Sequence, residues 1–214
     1  MKPFFKTTTL ILGTALLINC KNQQENSANS VSLIPEKNQE IAVFSEGCFW
    51  CAEYVFESVK GIDSVVSGFS GGEKPNPTYE DVGRNDNGYA ESVLVYYKPN
   101  EINFRELLNV FFLSHDPTTL NKQGPDEGSA YRSIAYYKNE NEKISIEDIM
   151  AFFNKKAFYG GKIVTEIKPL KTFFLASKKH QNYIKNNPTD NYVIEESLPR
   201  YQRFLDSYKG ELKK

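Results

Sequence analysis

Apolar residues in this chain fall into short blocks, divided by polar stretches that carry glycine and proline. Ile41-Ala42-Val43-Phe44 is an unbroken apolar run of strand length and predicts a buried strand. From Tyr54 to Lys60 the apolar side chains recur at helical spacing, with Gly61 placed as a C-cap. Ile62 to Phe69 alternates as a strand does. Gly68, Gly71, Gly72, Pro75 and Pro77 then predict a long loop, and long loops inside compact domains usually carry function. Ser92 to Tyr97 predicts another strand, closed by Pro99. Asn103 stands as an N-cap for a helix from Phe104 to Ser114, with Leu107, Leu108, Phe111 and Phe112 on its apolar face. A polar, glycine-bearing loop is expected from Asp116 to Gly128. Tyr131 to Tyr137 predicts a strand, Glu142 to Lys156 a helix with Ile144, Ile146, Ile149 and Phe152 inward, and Ile163 to Ile167 a last short strand. Residues 172–186 have helical character before Pro188, and so does the charged stretch from Leu198 to Lys214.

This order of elements is α+β rather than a regular βαβ series. It suits a helix layer on a mainly antiparallel sheet, ferredoxin-like in plan. The 214 residues suffice for one domain with a real core. We expect a single catalytic domain over residues 41–214.

The first forty residues follow a different pattern. Lys2 and Lys6 form a positive start, and Thr7 to Ile18 an apolar stretch too short to span a bilayer. It closes on Leu17-Ile18-Asn19-Cys20. Residues 1–20 resemble a bacterial lipoprotein signal in which Cys20 becomes the lipidated first residue, although Asn19 stands where a small residue is usual. Residues 21–40 are rich in Asn, Gln, Ser and Glu and read as a flexible tether. The expected location is therefore the bacterial envelope, membrane-anchored and periplasm-facing. The formal net charge of −1 gives no reason to expect nucleic acid as a partner.

Candidate chemistry gathers at Gly47-Cys48-Phe49-Trp50-Cys51-Ala52-Glu53. Cys48 falls where the strand hands over to the helix, so unpaired N–H groups and the positive dipole end favour its thiolate. Cys51 follows three residues on, along the same face. Zinc is disfavoured: His115, His180 and Cys20 are the only further His or Cys residues, and none are paired at ligand spacing. Thiol chemistry fits the spacing better. Ser114-His115-Asp116 has the composition of a catalytic triad, but triad members meet through the fold, not as neighbours in sequence.

Gly47-Cys48-Phe49-Trp50 followed by Glu53 resembles the signature of the peptide methionine sulfoxide reductase A family, in its Gly-Cys-Phe-Trp-Cys variant. The similarity continues through Gly68-Phe69-Ser70-Gly71-Gly72, Pro75-Asn76-Pro77-Thr78-Tyr79, Gly88-Tyr89-Ala90-Glu91, His115-Asp116-Pro117, and Gln123-Gly124 to Tyr131-Arg132-Ser133. It spans about residues 41–188, leaving 189–214 as a C-terminal extension.

The resemblance implies an α/β roll that reduces methionine S-sulfoxide, in proteins and as the free or peptide amino acid, without a cofactor. Cys48 would be the nucleophile and pass through a sulfenic acid. Glu91 would be the acid, its pKa raised by an aromatic surround. Tyr79 and Tyr131 would donate hydrogen bonds to the sulfoxide oxygen, and Asp126 would position substrate or water. Phe49 and Trp50 suit an apolar methyl pocket. Tyr89 stands where the family usually has His. Many relatives carry a resolving Cys in the tail; here none follows Cys51. Cys51 is the expected resolving thiol, with a thioredoxin-like protein as electron donor and a monomer as the working form. Two other readings compete: an envelope thioredoxin-like disulfide oxidoreductase, and a surface lipoprotein without activity. Insulin-disulfide reduction and thiolate-selective alkylation discriminate them.

Overall fold

The computed structural model describes Met1, Asn29–Ser30 and residues 33–213. Cys20 and the proposed signal lie outside the described residues. A seven-stranded sheet forms the centre, built from β1 (Asn29–Ser30), β2 (Glu40–Glu46), β3 (Ile62–Ser70), β4 (Ala90–Tyr97), β7 (Ser133–Tyr137), β8 (Glu166–Pro169) and β9 (Phe174–Leu175). Their spatial order is β1-β9-β3-β4-β2-β7-β8. Every neighbouring pair is antiparallel except β7 with β8. A small hairpin, β5 (Lys122–Gln123) with β6 (Asp126–Glu127), stands apart. The fold is the α+β arrangement expected, with helices α1 (Phe49–Glu57), α3 (Phe104–Ser114), α4 (Glu140–Lys155) and α6 (Leu198–Ser207), and shorter helices α2 (Tyr79–Gly83) and α5 (Tyr183–Asn186).

The apolar run in β2 is unbroken because both faces of that strand are covered. Ala42 and Phe44 enter the larger core under the helices. Ile41 and Val43 enter a smaller one with Leu94, Ile134, Tyr136 and Phe173. Phe44 fastens the helix layer to the sheet. Its ring stacks on Phe56 of α1 at 5.3 Å and on Phe111 of α3 at 5.0 Å between centroids. The α3 helix starts as its sequence dictates. Asn103 accepts from the Glu106 N–H at 3.0 Å and Glu106 accepts from the Asn103 N–H at 2.9 Å, a reciprocal capping box.

Several local expectations are corrected. The C-cap of α1 is Ser58, and Gly61 lies beyond it, turning the chain into β3 with φ +86°. On α4 the inward stripe is Glu142, Ile146, Ile149 and Phe153. Ile144 and Phe152 are 48% and 51% exposed: Ile144 lies about 190° around the helix from the middle of that stripe, and Phe152 about 90° to its side. The Glu142 carboxylate is held by the Lys138 N–H at 2.7 Å, which makes a charged residue acceptable on the inner face. The glycine- and proline-rich stretch contains α2, opened by Thr78 in a second capping box with Asp81. The strand expected at 131–137 begins at Ser133, after a 3-10 turn over Ser129–Tyr131. The strand expected at 163–167 lies at Glu166–Pro169, and it is not the last, since β9 follows it.

Residues 172–186 are not one helix. Phe174–Leu175 pairs with β3 opposite Gly68 and Phe69, and helical turns follow only at Lys178–His180 and Tyr183–Asn186. Gly68 permits that pairing, since a Cβ there would sit 2.3 Å from the Phe174 carbonyl oxygen. Gln181 extends it as a side-chain surrogate for a strand. It accepts from the Ser67 N–H and donates to the Ser67 carbonyl, each at 2.9 Å.

Candidate active site

Cys48 is the N-cap of α1, with φ −53° and ψ 120°, and its carbonyl accepts the Ala52 N–H. The strand–helix handover expected from sequence is therefore where the thiol sits. Gly47 makes the turn possible with φ +89°. A Cβ there would come within 2.5 Å of Gln123, so the β5–β6 hairpin packs directly on this turn. That contact brings Asp126 toward Cys48.

Glu91 lies on β4, opposite Phe69 of β3, and is almost wholly buried. Its carboxyl accepts the Phe49 N–H at 3.0 Å, one residue from the thiol. Burial pushes its pKa up to about 8, aided by nearby Asp126 and Cys51 and opposed by that hydrogen bond. Glu91 therefore holds a proton at neutral pH. Tyr79 opens α2 and Tyr131 closes the 3-10 turn. Burial first, and then the charges of Glu91, Asp126 and Cys48, push both phenols up, so both remain O–H donors. Asp126 accepts the Tyr192 O–H, and burial raises its carboxyl.

The two buried thiols are close enough for each to shift the other's pKa. They act as a pair, and the first proton leaves easily while the second is held. The Cys51 thiol is drawn down to about 6, first by the hydrogen bond from Cys48, against the cost of burial, and then by Arg200 and Ser197. Burial pushes Cys48 up, and its interaction with Cys51 adds to that, so the thiolate expected at Cys48 from its place at the helix N-terminus falls on Cys51 in the resting enzyme.

An aromatic wall surrounds this group. Phe49 is only 1% exposed, so it forms a floor rather than an open face. It packs between Phe69, Tyr79 and His180. Trp50 is half-buried, and one face is covered by Tyr183, stacked at 3.7 Å. His180 stacks on Tyr79 at 4.4 Å and accepts the Trp50 indole N–H on Nδ1 at 3.3 Å. Burial holds its imidazole down at about 4, so it is neutral and Nε2 carries the proton. Among the described residues that Nε2 is the one buried side-chain polar atom without a hydrogen-bond partner.

Ser114, His115 and Asp116 do not converge. Ser114 bonds Glu46, His115 bonds Ser133 and the Phe111 carbonyl, and Asp116 caps the turn at Thr118. Tyr89 donates to the Lys74 carbonyl and covers Gly72, a structural post at the loop's base.

Comparison with known proteins decides the family. Residues 40–212 match the model for peptide methionine sulfoxide reductase. The chain belongs to the peptide methionine sulfoxide reductase family. It is 39% identical over 185 residues to the peptide methionine sulfoxide reductase MsrA of Deinococcus radiodurans, covering 86% of this chain and 90% of that one. It is 43% identical to the Sulfolobus acidocaldarius MsrA, covering 79% and 95%. Among solved structures it resembles reduced Mxr1 of Saccharomyces cerevisiae, with TM-score 0.68 and 32% identity over 74% of this chain and 94% of that one. Methionine sulfoxide reductase A of Corynebacterium diphtheriae gives TM-score 0.65 and 30% identity over 79% and 84%. As a peptide methionine sulfoxide reductase, the chain reduces methionine sulfoxide in protein repair, by thiol chemistry consistent with its paired cysteines.

Of the residues expected at the site, Cys48, Cys51, Glu91, Tyr79, Tyr131, Asp126, Phe49 and Trp50 gather in this one group. His180, Tyr183 and Tyr192 also join it, and sequence reasoning did not select them. They come from 130 or more residues away in the chain, as the Trp50–His180 bond shows. The presence of only two histidines was the one available signal.

Proposed function

We propose that Cys48 attacks the sulfur of a bound methionine sulfoxide while Glu91 gives its proton to the sulfoxide oxygen. The observation that carries this is a buried, protonated carboxyl bonded 3.0 Å from the Phe49 N–H, beside the thiol. Cys48 passes its proton to the Cys51 thiolate as its sulfur bonds to the substrate sulfur, and the second electron pair of the S=O bond moves to oxygen, which takes the Glu91 proton. Return of that oxygen to Cys48 frees methionine and leaves a sulfenic acid. Tyr79 and Tyr131 hold the oxygen as charge gathers on it. Asp126, oriented by Tyr192, positions substrate or water. Phe49 and Trp50 supply apolar surface for the methyl group, and the S epimer of the sulfoxide is the form accepted.

Cys51 then resolves the sulfenic acid. Its support is the nearness by which each thiol shifts the other's pKa, with Cys51 the one drawn down. Residues three apart on a helix have Cβ atoms about 5–6 Å apart, and a disulfide needs about 4 Å, so the first turn of α1 must loosen slightly. A thioredoxin-like protein reduces the disulfide, and the enzyme works as a monomer. Cys51→Ser tests this. It still releases about one methionine per enzyme in a single turnover, since the first attack needs no second thiol. Cycling with a protein disulfide reductant collapses, and dithiothreitol restores part of it. A variant that cycles normally with a protein donor would remove Cys51 from this role.

The N-terminal pattern supports an exported enzyme tethered through Cys20 and facing the periplasm. Wild type is expected in the membrane fraction and Cys20→Ala in the soluble fraction. A soluble wild type with a free N-terminus inside residues 21–40 would overturn the anchor.

A further inference from the structure

The extension beyond residue 188 closes over Cys51. A π-helical turn at Val193–Ser197 runs directly into α6, and such turns are frequent at functional sites. Ser197 and Arg200 are three apart and share a face, which meets α1. Both are buried, at 1% and 7% exposure. The Cys51 Sγ donates to the Ser197 Oγ at 3.2 Å. The Arg200 guanidinium is fixed by the Ser114 carbonyl at 2.6 Å and by Glu46, through its carbonyl at 2.9 Å and its carboxylate at 2.7 Å. Its Nη1 lies 3.6 Å from where a Gly47 Cβ would be, alongside the turn that delivers Cys48.

We propose that Ser197 and Arg200 are positioning residues for resolution, holding Cys51 as a thiolate aimed at the oxidised Cys48. The proposal rests on the reading of Cys51 as the resolving thiol.

The argument turns on what remains near Cys51 after the first half-reaction. In the reduced enzyme the Cys48 S–H donates to Cys51. Once Cys48 is a sulfenic acid that S–H is gone. The other groups around Cys51 that bear charge or titrate are Asp126 on β6, Glu46 at the end of β2, Glu91 on β4, Tyr192 and Arg200. Asp126 and the two glutamates oppose a thiolate when ionised. Arg200 favours it, and the Ser197 hydroxyl can reverse its hydrogen bond and donate to the sulfur. In the resolving step the thiolate's electron pair forms the S–S bond, the S–O bond breaks, and hydroxide leaves as water with one proton from solvent, Glu91 having given its own in the first step. No outside oxidant or reductant enters.

A bland alternative is that Arg200 only neutralises buried Glu46 and Ser197 only fills space. The experiment follows disulfide formation between Cys48 and Cys51 after one turnover with a sulfoxide peptide, by quenched mass spectrometry, from pH 5 to 9. Wild type is expected to lose rate toward the acid end of that range through one inflection, set by Cys51 in the company of Ser197 and Arg200. Ser197→Ala moves that inflection up by about one unit, as loss of a hydrogen bond to a charged group implies, so the rate falls about tenfold at the acid end. Ser197→Thr, which keeps the hydroxyl, restores the wild-type profile. Arg200→Lys retains the charge but not the fork, and shifts the inflection less than Arg200→Gln. The methionine burst, measured in the same samples, reports a folded, working Cys48. Arg200→Gln strands Glu46, so the serine variants carry the decision where the glutamine variant fails to fold. Unchanged profiles in Ser197→Ala, with the disulfide forming, overturn the positioning role alone. Absence of the disulfide in wild type overturns the resolving role of Cys51 and this proposal with it.

Discussion

A Cys48→Ser enzyme releases no methionine above background, in single or multiple turnovers, with protein or small-molecule reductant. An alcohol cannot form the sulfenic acid through which oxygen leaves the substrate. Its oxygen is also a far weaker nucleophile than sulfur at neutral pH. The substitution is nearly isosteric and sits at the N-cap of α1, where Ser is a favoured residue. Folding should therefore survive, and circular dichroism with a thermal melt separates loss of chemistry from loss of structure. Measurable turnover in a well-folded Cys48→Ser enzyme would move the first step to another group.

Glu91→Gln is expected to lose rate by about 10²–10⁴-fold, the range of general acid catalysis, with substrate binding largely kept. The amide oxygen can still accept the Phe49 N–H, so the local geometry persists. The same change should stabilise the fold, and the pH window follows from the raised pKa. Glu91 titrates at about 8 in the folded chain against an ordinary 4.5. Between those values the unfolded chain has released a proton that the folded chain keeps, so wild-type stability falls as pH rises through that window. The amide of the variant does not titrate and has no such loss. The variant and wild type should differ least below pH 4.5, and the gap should grow until about pH 8, reaching on the order of 4–5 kcal/mol. Denaturant midpoints at pH 5 and pH 9 measure it. Equal gaps at both pH values would mean that Glu91 is ionised in the folded enzyme at neutral pH.

How much of this was legible depended on whether the cause was local. Asn103 and Glu106 announce their capping box because the partners are three residues apart. Cys48 could be placed at a strand–helix junction because both flanking patterns are short-range. The face of α4 was misjudged because Ile144 and Phe152 are as apolar as the residues that do turn inward. Only packing against α3 and β7 selects the stripe with Glu142 in it. Residues 172–186 have helical character, yet the free edge of β3 captures Phe174–Leu175 first. Tyr79, Glu91 and Tyr131 were picked out by family resemblance, not by pattern, since a lone Tyr or Glu carries no local mark of burial. His180 and Tyr192 had neither kind of signal. Their roles exist only once the chain beyond Lys178 is laid across α1 and the β5–β6 hairpin.

The bond between Glu46 and Arg200 joins positions 154 residues apart. A ribosome makes Glu46 long before Arg200. Until α6 arrives, the carboxylate at the end of β2 has no cation to meet, and burial alone would drive it toward its protonated form, with a pKa already near 7 in the finished fold. The sheet can pair and the helices can gather, but this corner of the molecule stays open to water. Contacts so distant along the chain also form slowly. Cys51 shares that corner, so its final surroundings are assembled at the close of folding. A chain still being made holds its two neighbouring thiols without the contacts that Ser197 and Arg200 bring to them.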